Sequence, residues 1–182
     1  KRTEQEALRR EEYLACLAEI SGDLLAASKL DVTMPSVLRR LREVARASRC
    51  SVFENQRTPE GAFVTRLSFQ DREAGCGPSR SGAFLPGGVW DLSRFRRWQE
   101  TLGGGGAVYG PVAGLPPAER ELLDLDGVQW VAALPVTVSG QWHGFLQFDS
   151  CRAGVEWSQQ EISLLRMAAS VISSAISRLI AE

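Results

Sequence analysis

The sequence predicts an α/β fold of the α+β type, in which helices at both ends flank a largely antiparallel sheet. Three observations support this prediction. Amphipathic helical patterns open the chain, short alternating apolar runs follow them, and a β-hairpin late in the chain leads directly into a heptad-patterned helix. Glycine-rich and proline-rich segments interrupt the middle of the chain and separate the strands on its two sides.

The length of 182 residues and the hydrophobic content of 44% predict one domain with helical extensions. We expect a signalling helix over residues 1–29, a domain core over 30–157 and a C-terminal helix over 158–182 that extends as a coiled-coil linker. With 21 basic and 22 acidic residues the net charge is −1, which argues against nucleic acid or anionic lipid as a partner. The start and end of the sequence resemble cuts made in a longer protein.

The four cysteines, Cys16, Cys50, Cys76 and Cys151, form no C-x-x-C pair, so neither a zinc finger nor a redox dithiol is indicated. No secretory signal is recognisable, which predicts reduced thiols and a cytoplasmic location. We also expect no contact with a membrane, because no apolar run approaches the roughly 20 residues needed to cross one.

The first element is an amphipathic helix over residues 4–29, which carries an apolar stripe separated by Glu and Arg. Thr33 or Ser36 is expected to cap a second helix, with Pro35 tolerated in its first turn. Two strands follow, at residues 50–54 and 63–69, the second with the alternation of a strand that buries one face.

The middle third is an insertion dense in Gly, Pro and Ser over residues 74–88 and 103–117, with a short helix between them at 91–102. Such segments are often mobile or shaped by a ligand. A short strand at 107–112 and a helix at 117–123 complete this part.

A hairpin follows, with strands at residues 132–138 and 142–149 and a turn at Ser139-Gly140. Ser158 and Glu161 then form a capping box, which predicts a helix starting near Gln159. Its apolar residues alternate steps of three and four, as in a coiled coil: Ile162, Leu165, Ala169, Ile172, Ile176 and Leu179.

This seam predicts a parallel homodimer, in which the N-terminal helix contributes a matching stripe at Leu14, Leu17 and Leu24. The alternative is that the helix folds back on its own sheet.

Several sequence words together resemble the GAF domain, in particular the GAF sensors of bacterial histidine kinases and cyclic-dinucleotide signalling proteins. They are Phe95-Arg96-Arg97-Trp98, Val108-Tyr109-Gly110, Ala133-Leu134-Pro135-Val136, the block over residues 140–149, and Trp157-Ser158 with Glu161. The resemblance implies a six-stranded antiparallel sheet with the terminal helices on one face. It also implies a pocket on the other face, covered by the middle segment.

Five aromatic residues lie in and around the insertion and are candidates for the wall of that pocket: Trp90, Phe95, Trp98, Tyr109 and Trp130. The alternative is that they are core residues. Any ligand is expected between the sheet and residues 88–110, and Arg94, Arg96 and Arg97 are either anion-binding or a solvated helix face.

Other chemistry lacks the residues it requires, so we predict no enzyme activity, no cofactor and no metal. His143 is the single histidine, and Cys76 is followed by glycine rather than by the histidine that bilin attachment favours. The glycine run at 103–106 opens a strand instead of a phosphate-binding helix. A free methionine sulfoxide reductase activity would need clustered cysteines, and only Cys76 lies in the insertion.

The predicted function is therefore a regulatory small-molecule sensor or signal-relay module of a bacterial two-component protein such as a histidine kinase. Its expected partners are a second copy of itself, an unidentified small molecule and neighbouring domains of the same polypeptide. The alternative is a purely structural dimerisation module with a collapsed pocket. A cavity beside Trp98 and Tyr109 would favour sensing, whereas a filled space would favour the structural module.

Overall fold

The computed structural model describes residues 1–76, 81–82 and 87–182. Its centre is a six-stranded antiparallel sheet with the strand order β3-β2-β1-β6-β5-β4. The strands are β1 Arg49–Arg57, β2 Phe63–Arg72, β3 Val89–Asp91, β4 Val108–Pro111, β5 Trp130–Val138 and β6 Gln141–Ser150. The helices are α1 Arg2–Ala26, α2 Leu30–Ala45, α3 Arg96–Gly103, α4 Pro117–Leu125 and α5 Gln159–Ala181. The predicted α+β fold with a six-stranded antiparallel sheet is confirmed.

The terminal helices form a layer on one face of the sheet. Helix α5 packs on β5 and α2 packs on β1 and β2, while α1 packs against α2 and α5. Their apolar side chains form one core cluster with residues from the helix-facing side of the sheet, such as Val52, Leu134 and Phe148. By length and hydropathy alone α5 could cross a membrane, with a mean hydropathy of 1.4 in its most apolar stretch, so the expectation that no such run exists was wrong. In the fold its apolar residues serve as core.

The opposite face of the sheet is covered by α3, α4 and the 3₁₀ turn Leu92–Arg94. This side has its own core cluster, in which Phe53, Trp90 and Phe145 of the sheet meet Phe95 and Trp98 of the covering segments. We call it the lid side. Residues 77–80 and 83–86 of the predicted insertion lie outside the described residues.

Local signals in the sequence explain most of the element ends. The hairpin turn is confirmed, because Ser139 and Gly140 both have positive φ, 52° and 74°, as a type I′ turn requires. The Ser158 cap is also confirmed, since the Glu161 N–H donates to its Oγ at 3.2 Å. Pro135 is tolerated inside β5 because β4 pairs with β5 only as far as Ala133, which leaves Pro135 on a locally exposed edge.

Two predicted helices have different bounds in the structure, and one strand was not predicted. Helix α2 begins at Leu30, before both Thr33 and Ser36, so Pro35 lies inside the helix rather than in a capped first turn. The helix expected at 91–102 is split into a 3₁₀ turn at Leu92–Arg94 and α3, because Phe95 is not helical. Strand β3 was not predicted, since three residues are too few to show alternation.

At Gly144 of β6, the neighbouring strand β1 leaves no room for a side chain. A Cβ atom at this position would lie 1.9 Å from the Phe53 carbonyl oxygen and 3.0 Å from Glu54 Cα. Only glycine therefore fits here without separating the two central strands.

Candidate functional site

Three of the five predicted pocket aromatics come together on the lid side. Trp90 lies on β3, Phe95 precedes α3, and Trp98 lies on the inner face of α3. The Trp90 ring centroid lies 5.8 Å from that of Phe95 and 5.7 Å from that of Trp98. These tilted contacts are the favourable arrangement for aromatic rings, so the three residues form one cluster.

The sheet supplies two further members that were not predicted, Phe53 on β1 and Phe145 on β6. Their rings are stacked at 4.8 Å, and Trp98 meets Phe145 edge-on at 5.8 Å. A signal for them was present, because both residues alternate along their strands with the helix-facing Val52 and Leu146. We call these five residues, Phe53, Trp90, Phe95, Trp98 and Phe145, the aromatic cluster.

Trp98 connects two elements of the lid side. Its indole N–H donates to the carboxylate of Glu119 on α4, and the Arg97 Nε donates to the same carboxylate at 3.0 Å. Glu119 is buried, so its charge is compensated by Arg97. Trp98 is only 1% exposed and its polar atom is engaged, which makes it a structural member of the cluster rather than a free ligand contact.

The other two predicted pocket residues do not belong to this site. Trp130 packs on the helix-facing core and meets Trp157 edge-on at 5.9 Å. Tyr109 is 41% exposed and pairs in register with Ala132, a residue of the helix-facing core. Both assignments are corrected for the same reason: successive residues of a strand point to opposite faces, and these two are out of phase with the lid side.

The space beneath Trp98 is filled by the aromatic cluster, but a cleft lies at its outer edge. This cleft has a volume of about 450 Å³ and lies between Trp90 and Phe95 on one side and α4 on the other. Leu122 and Leu125 provide its apolar wall. Charged side chains at its rim are Asp91, Arg94 and Glu121. It therefore differs in place from the cavity expected beside Trp98 and Tyr109.

Two buried polar groups lie on the lid-facing side of neighbouring strands. Asn55 of β1 and Thr65 of β2 are register partners, and Thr65 also pairs with Trp90. Within the described part of the chain, neither the Asn55 amide nor the Thr65 hydroxyl makes a hydrogen bond. Burying such a group without a partner costs about 1–3 kcal/mol, so this position would gain from a hydrogen-bonding ligand group. No sequence pattern had pointed to either residue.

A buried ion pair stands at the other end of the same face. Arg49 Nε donates to Asp149 Oδ1 at 2.8 Å, and both side chains are almost fully buried. Burial raises the pKa of Asp149, and the Arg49 guanidinium opposes that rise. The Gln147 amide donates to the second oxygen of Asp149 at 3.4 Å. Charged residues inside a strand carried no signal of burial in the sequence.

Two of the four cysteines meet beside this ion pair. Cys76, just after β2, and Cys151, just after β6, have their Sγ atoms 3.0 Å apart. The Arg49 guanidinium approaches Cys151 Sγ at 3.6 Å. Only Cys76 of the two lies in the insertion, and Cys151 is 75 positions further along the chain, so no sequence pattern indicated this contact.

His143 lies apart from these groups, near Glu54 of β1, with Nε2 and Oε2 2.9 Å apart. Among the residues that the structure describes, no group of three or more His, Cys, Asp or Glu side chains is arranged to hold a metal ion.

The residues assigned to a seam between two copies are mostly core residues of one chain. The structure buries seven of the nine: Leu17, Leu24, Ile162, Leu165, Ala169, Ile172 and Ile176. Their place in the fold corrects the assignment, because the apolar stripe of α5 is the surface that covers the sheet and α1. Leu14 is 37% exposed, and Leu179 is partly buried.

Helices α1 and α5 run parallel and are fastened to each other at both ends. Near the start of both helices, Arg9 Nε donates to Glu161 Oε1 at 3.0 Å. Near their ends, Arg178 Nη2 donates to the carbonyl oxygens of Leu24 at 2.9 Å and Ala27 at 2.8 Å. Hydrogen bonds therefore join the two helices near both of their ends.

This pair of helices leaves apolar side chains in solvent. On α1, Leu14, Ala18 and Leu25 follow steps of four and seven and are all exposed. On α5, Met167 is exposed and Val171, one turn later, is partly exposed. We call these five residues the terminal-helix stripe.

A further contact links α5 to the lid side. Arg166 Nη1 donates to the carbonyl oxygen of Gly105 at 2.7 Å, in the glycine run that follows α3. The same run is close to β6, because a Cβ at Gly103 would touch the Trp142 ring at 3.4 Å. The aromatic cluster is thereby connected through α3 to the C-terminal helix.

Comparison with known proteins places this architecture in context. Residues 29–176 match the family model described as GAF domain. The methanogenesis regulatory histidine kinase FilI of Methanothrix harundinacea (strain 6Ac) is 31% identical over 175 residues. That match covers 95% of this chain but only 19% of the kinase.

Solved structures of low sequence identity have the same fold. The phycocyanobilin-bound GAF domain from a cyanobacterial phytochrome matches with a TM-score of 0.77 at 15% identity, over 92% of this chain and 94% of that one. The blue-light absorbing form of the PixJ GAF domain of Thermosynechococcus elongatus matches with a TM-score of 0.66 at 19% identity, over 92% and 90%.

Proposed function

Because this chain belongs to the GAF domain family, whose members are generally sensory rather than catalytic, we propose that it is a signal-relay module without enzyme activity. It works as a homodimer and transmits through α1 and α5. The observation that carries the proposal is the pair of parallel terminal helices, which are joined by hydrogen bonds near both ends and leave the terminal-helix stripe exposed to solvent.

The terminal-helix stripe is the proposed contact between two copies. Leu25 is 80% exposed and Met167 is 47% exposed, which is unfavourable for large apolar side chains lying on adjacent helices. A second copy would cover the same stripe with its own, as a two-fold interface requires. The contact then uses the outer side of the helices, while their inner side keeps the core intact.

The proposed input is a small molecule held at the lid side. The cleft beside Trp90 and Phe95 offers an apolar wall with a charged rim, and Asn55 and Thr65 offer hydrogen bonds beneath the cluster. A shift of α3 on ligand binding would reach α5 through the bond between Gly105 and Arg166. The signal would then leave along the helix pair.

The proposed setting is a cytoplasmic regulatory protein of the two-component type. The similar protein FilI is a histidine kinase, and this chain corresponds to a minor part of its length. Neighbouring sensor and output domains of the same polypeptide are the partners that such a relay would serve.

A second candidate function is a structural dimerisation module without a ligand. It is favoured by the filled space beneath Trp98, where stacked and edge-on rings leave that residue fully buried. Native mass spectrometry of protein purified from its own host separates the two functions. A stoichiometric bound small molecule supports sensing, and a bare chain supports the structural module.

The dimer is tested by placing charge on the terminal-helix stripe. We expect the Leu25→Glu, Met167→Glu double variant to be a folded monomer, because two carboxylates would face their copies across an apolar contact. Sedimentation velocity over a range of concentrations measures the change, and circular dichroism checks the fold.

The matched control is Leu125→Glu. Leu125 is 49% exposed on α4, which lies on the opposite face of the sheet from the terminal helices, so this variant should remain dimeric. A wild-type chain that stays monomeric at high micromolar concentration would disprove the dimer and with it the proposed route of the signal.

A further inference from the structure

Cys76, which is buried, and Cys151, which is partly exposed, form a thiol pair that the proposed relay does not use. Their Sγ atoms are 3.0 Å apart, about 1 Å more than the length of a disulfide bond. Both thiols are free in this structure. We propose that this pair is a site of reversible oxidation, at which a small hydroperoxide converts the two thiols into one disulfide.

Ser48, which is fully buried just before β1, links the segments that carry the two cysteines. The Cys151 N–H donates to Ser48 Oγ at 2.9 Å. The Glu73 N–H donates to the Ser48 carbonyl at 2.9 Å, and the Cys76 N–H closes the same turn on the Glu73 carbonyl at 3.2 Å. The two sulfur atoms are therefore kept adjacent by hydrogen bonds that do not involve the thiols, so closure of the bond needs little backbone movement.

The surroundings also supply positive charge. The Arg49 guanidinium lies 3.6 Å from Cys151 Sγ and favours a thiolate there, which is the reactive form of cysteine. Burial acts in the opposite direction and raises the pKa of Cys151 to about 12. Asp149 Oδ1 and the Asp126 carbonyl oxygen also accept hydrogen bonds from Arg49.

The oxidation of the two thiols to a disulfide requires one hydroperoxide as its only co-reactant. One cysteine attacks the peroxide oxygen, the O–O bond breaks, and a sulfenic acid and one molecule of water or alcohol form. The second thiol then attacks the sulfenic sulfur, which releases water and leaves the disulfide. Two thiols are oxidised by two electrons in all, and the peroxide is reduced by the same two. Cys76 is buried and Cys151 only partly exposed, which favours a small oxidant.

A disulfide here would link the lid side covalently to the loop that leads into α5. Cys76 begins the insertion, and Cys151 lies in the loop that leads into α5. Ser81, further along the insertion, is already held by the Asp126 carboxylate at the end of α4, with its N–H donating at 3.2 Å. Oxidation would add a covalent link to this noncovalent one, and the disulfide would hold the start of the insertion against the entry to α5.

The test uses the unmodified chain with hydrogen peroxide as the probe. After exposure and removal of peroxide, the protein is unfolded, alkylated and mapped by mass spectrometry. We expect Cys16 and Cys50, which lie in the helix-side core, to be alkylated, and Cys76 and Cys151 to be recovered as one cross-linked peptide. Dithiothreitol should return all four cysteines to the alkylated form, and the oxidised chain should unfold at higher urea concentration than the reduced one.

Cys151→Ser supplies the matched variant, in which peroxide should leave no cross-link. Full alkylation of Cys76 and Cys151 after peroxide would overturn the proposal. So would separate oxidation of either thiol to a sulfinic acid in the unmodified chain, or a cross-link to Cys16 or Cys50.

Discussion

At the scale of single residues, Gly144 packs so closely against β1 that no larger residue fits at this position. A Cβ atom there would overlap the Phe53 carbonyl oxygen at 1.9 Å, and that oxygen belongs to a strand paired on both sides. Neither partner can move away without disturbing the sheet. This residue therefore fixes how closely the two central strands approach.

We predict that Gly144→Ala lowers the free energy of unfolding by about 3 kcal/mol, at the upper end of typical overpacking losses. Urea unfolding followed by tryptophan fluorescence measures this. Gly22→Ala is the matched control, because Gly22 lies in helix α1 with no atom within 4 Å of the added methyl group. That variant should gain about 0.5–1 kcal/mol from the better helix propensity of alanine. Equal stabilities of the two variants would contradict the strand-contact argument.

The residues of the candidate site illustrate what local patterns can predict. Trp90, Phe95 and Trp98 were found because large aromatics close to irregular backbone suggest a covered face. Tyr109 and Trp130 were wrongly grouped with them, since the phase of a strand relative to the sheet depends on its partners. Asn55, Thr65 and Glu119 carried no signal at all, because burial of a polar residue is decided by tertiary packing.

At the scale of elements, the longest patterns were predicted best. The hairpin and the capped start of α5 follow from turn and cap chemistry within a few residues of one another. The heptad pattern of α5 is present, but its apolar residues pack against the sheet of the same chain rather than against a second copy. A seam of apolar residues has the same spacing whether its partner is a second helix or a sheet, so the sequence alone does not distinguish them.

The fastening of α1 to α5 leads to a prediction about these two helices. We expect Arg178→Ala to increase amide hydrogen exchange in the last turn of α1, because the carbonyls of Leu24 and Ala27 lose their charged donor. Exchange measured by mass spectrometry on peptides that cover residues 20–30 checks this.

Arg166→Ala is the control for that experiment. This variant also removes a guanidinium from α5, but that guanidinium donates to the Gly105 carbonyl oxygen rather than to α1. Exchange should then increase around Gly105 and stay unchanged at the end of α1. The same response in both variants would mean that α5 had loosened generally and that neither contact is specific.

At the scale of the whole molecule, the helix-side core makes stability depend on alkaline pH. Burial raises the pKa of Cys16 from 9.0 to about 11 and raises those of Tyr13 and Cys50 as well. The folded chain therefore keeps protons that the unfolded chain releases. This stabilising contribution is complete below the ordinary thiol pKa and is lost as the pH rises through the folded value.

We predict that the free energy of unfolding falls between pH 9 and pH 11. Each proton that the folded chain keeps and the unfolded chain releases makes the free energy of unfolding fall by up to about 1.4 kcal/mol per pH unit. Urea titrations in the presence of a reductant measure it, and Cys16→Ala should give a shallower slope whatever its stability at neutral pH. An unchanged slope would show that Cys16 does not hold its proton in the folded state.

The parallel course of α1 and α5 also governs how such a module is joined to others. The chain enters α1 beside the start of α5 and leaves α5 beside the end of α1, so entry and exit lie at opposite ends of the helix pair. Each helix of 23 to 25 residues is about 35 Å long. Modules of this kind linked in series would stack end to end along one axis, and inserting a single residue at a junction would rotate everything beyond it by about 100°.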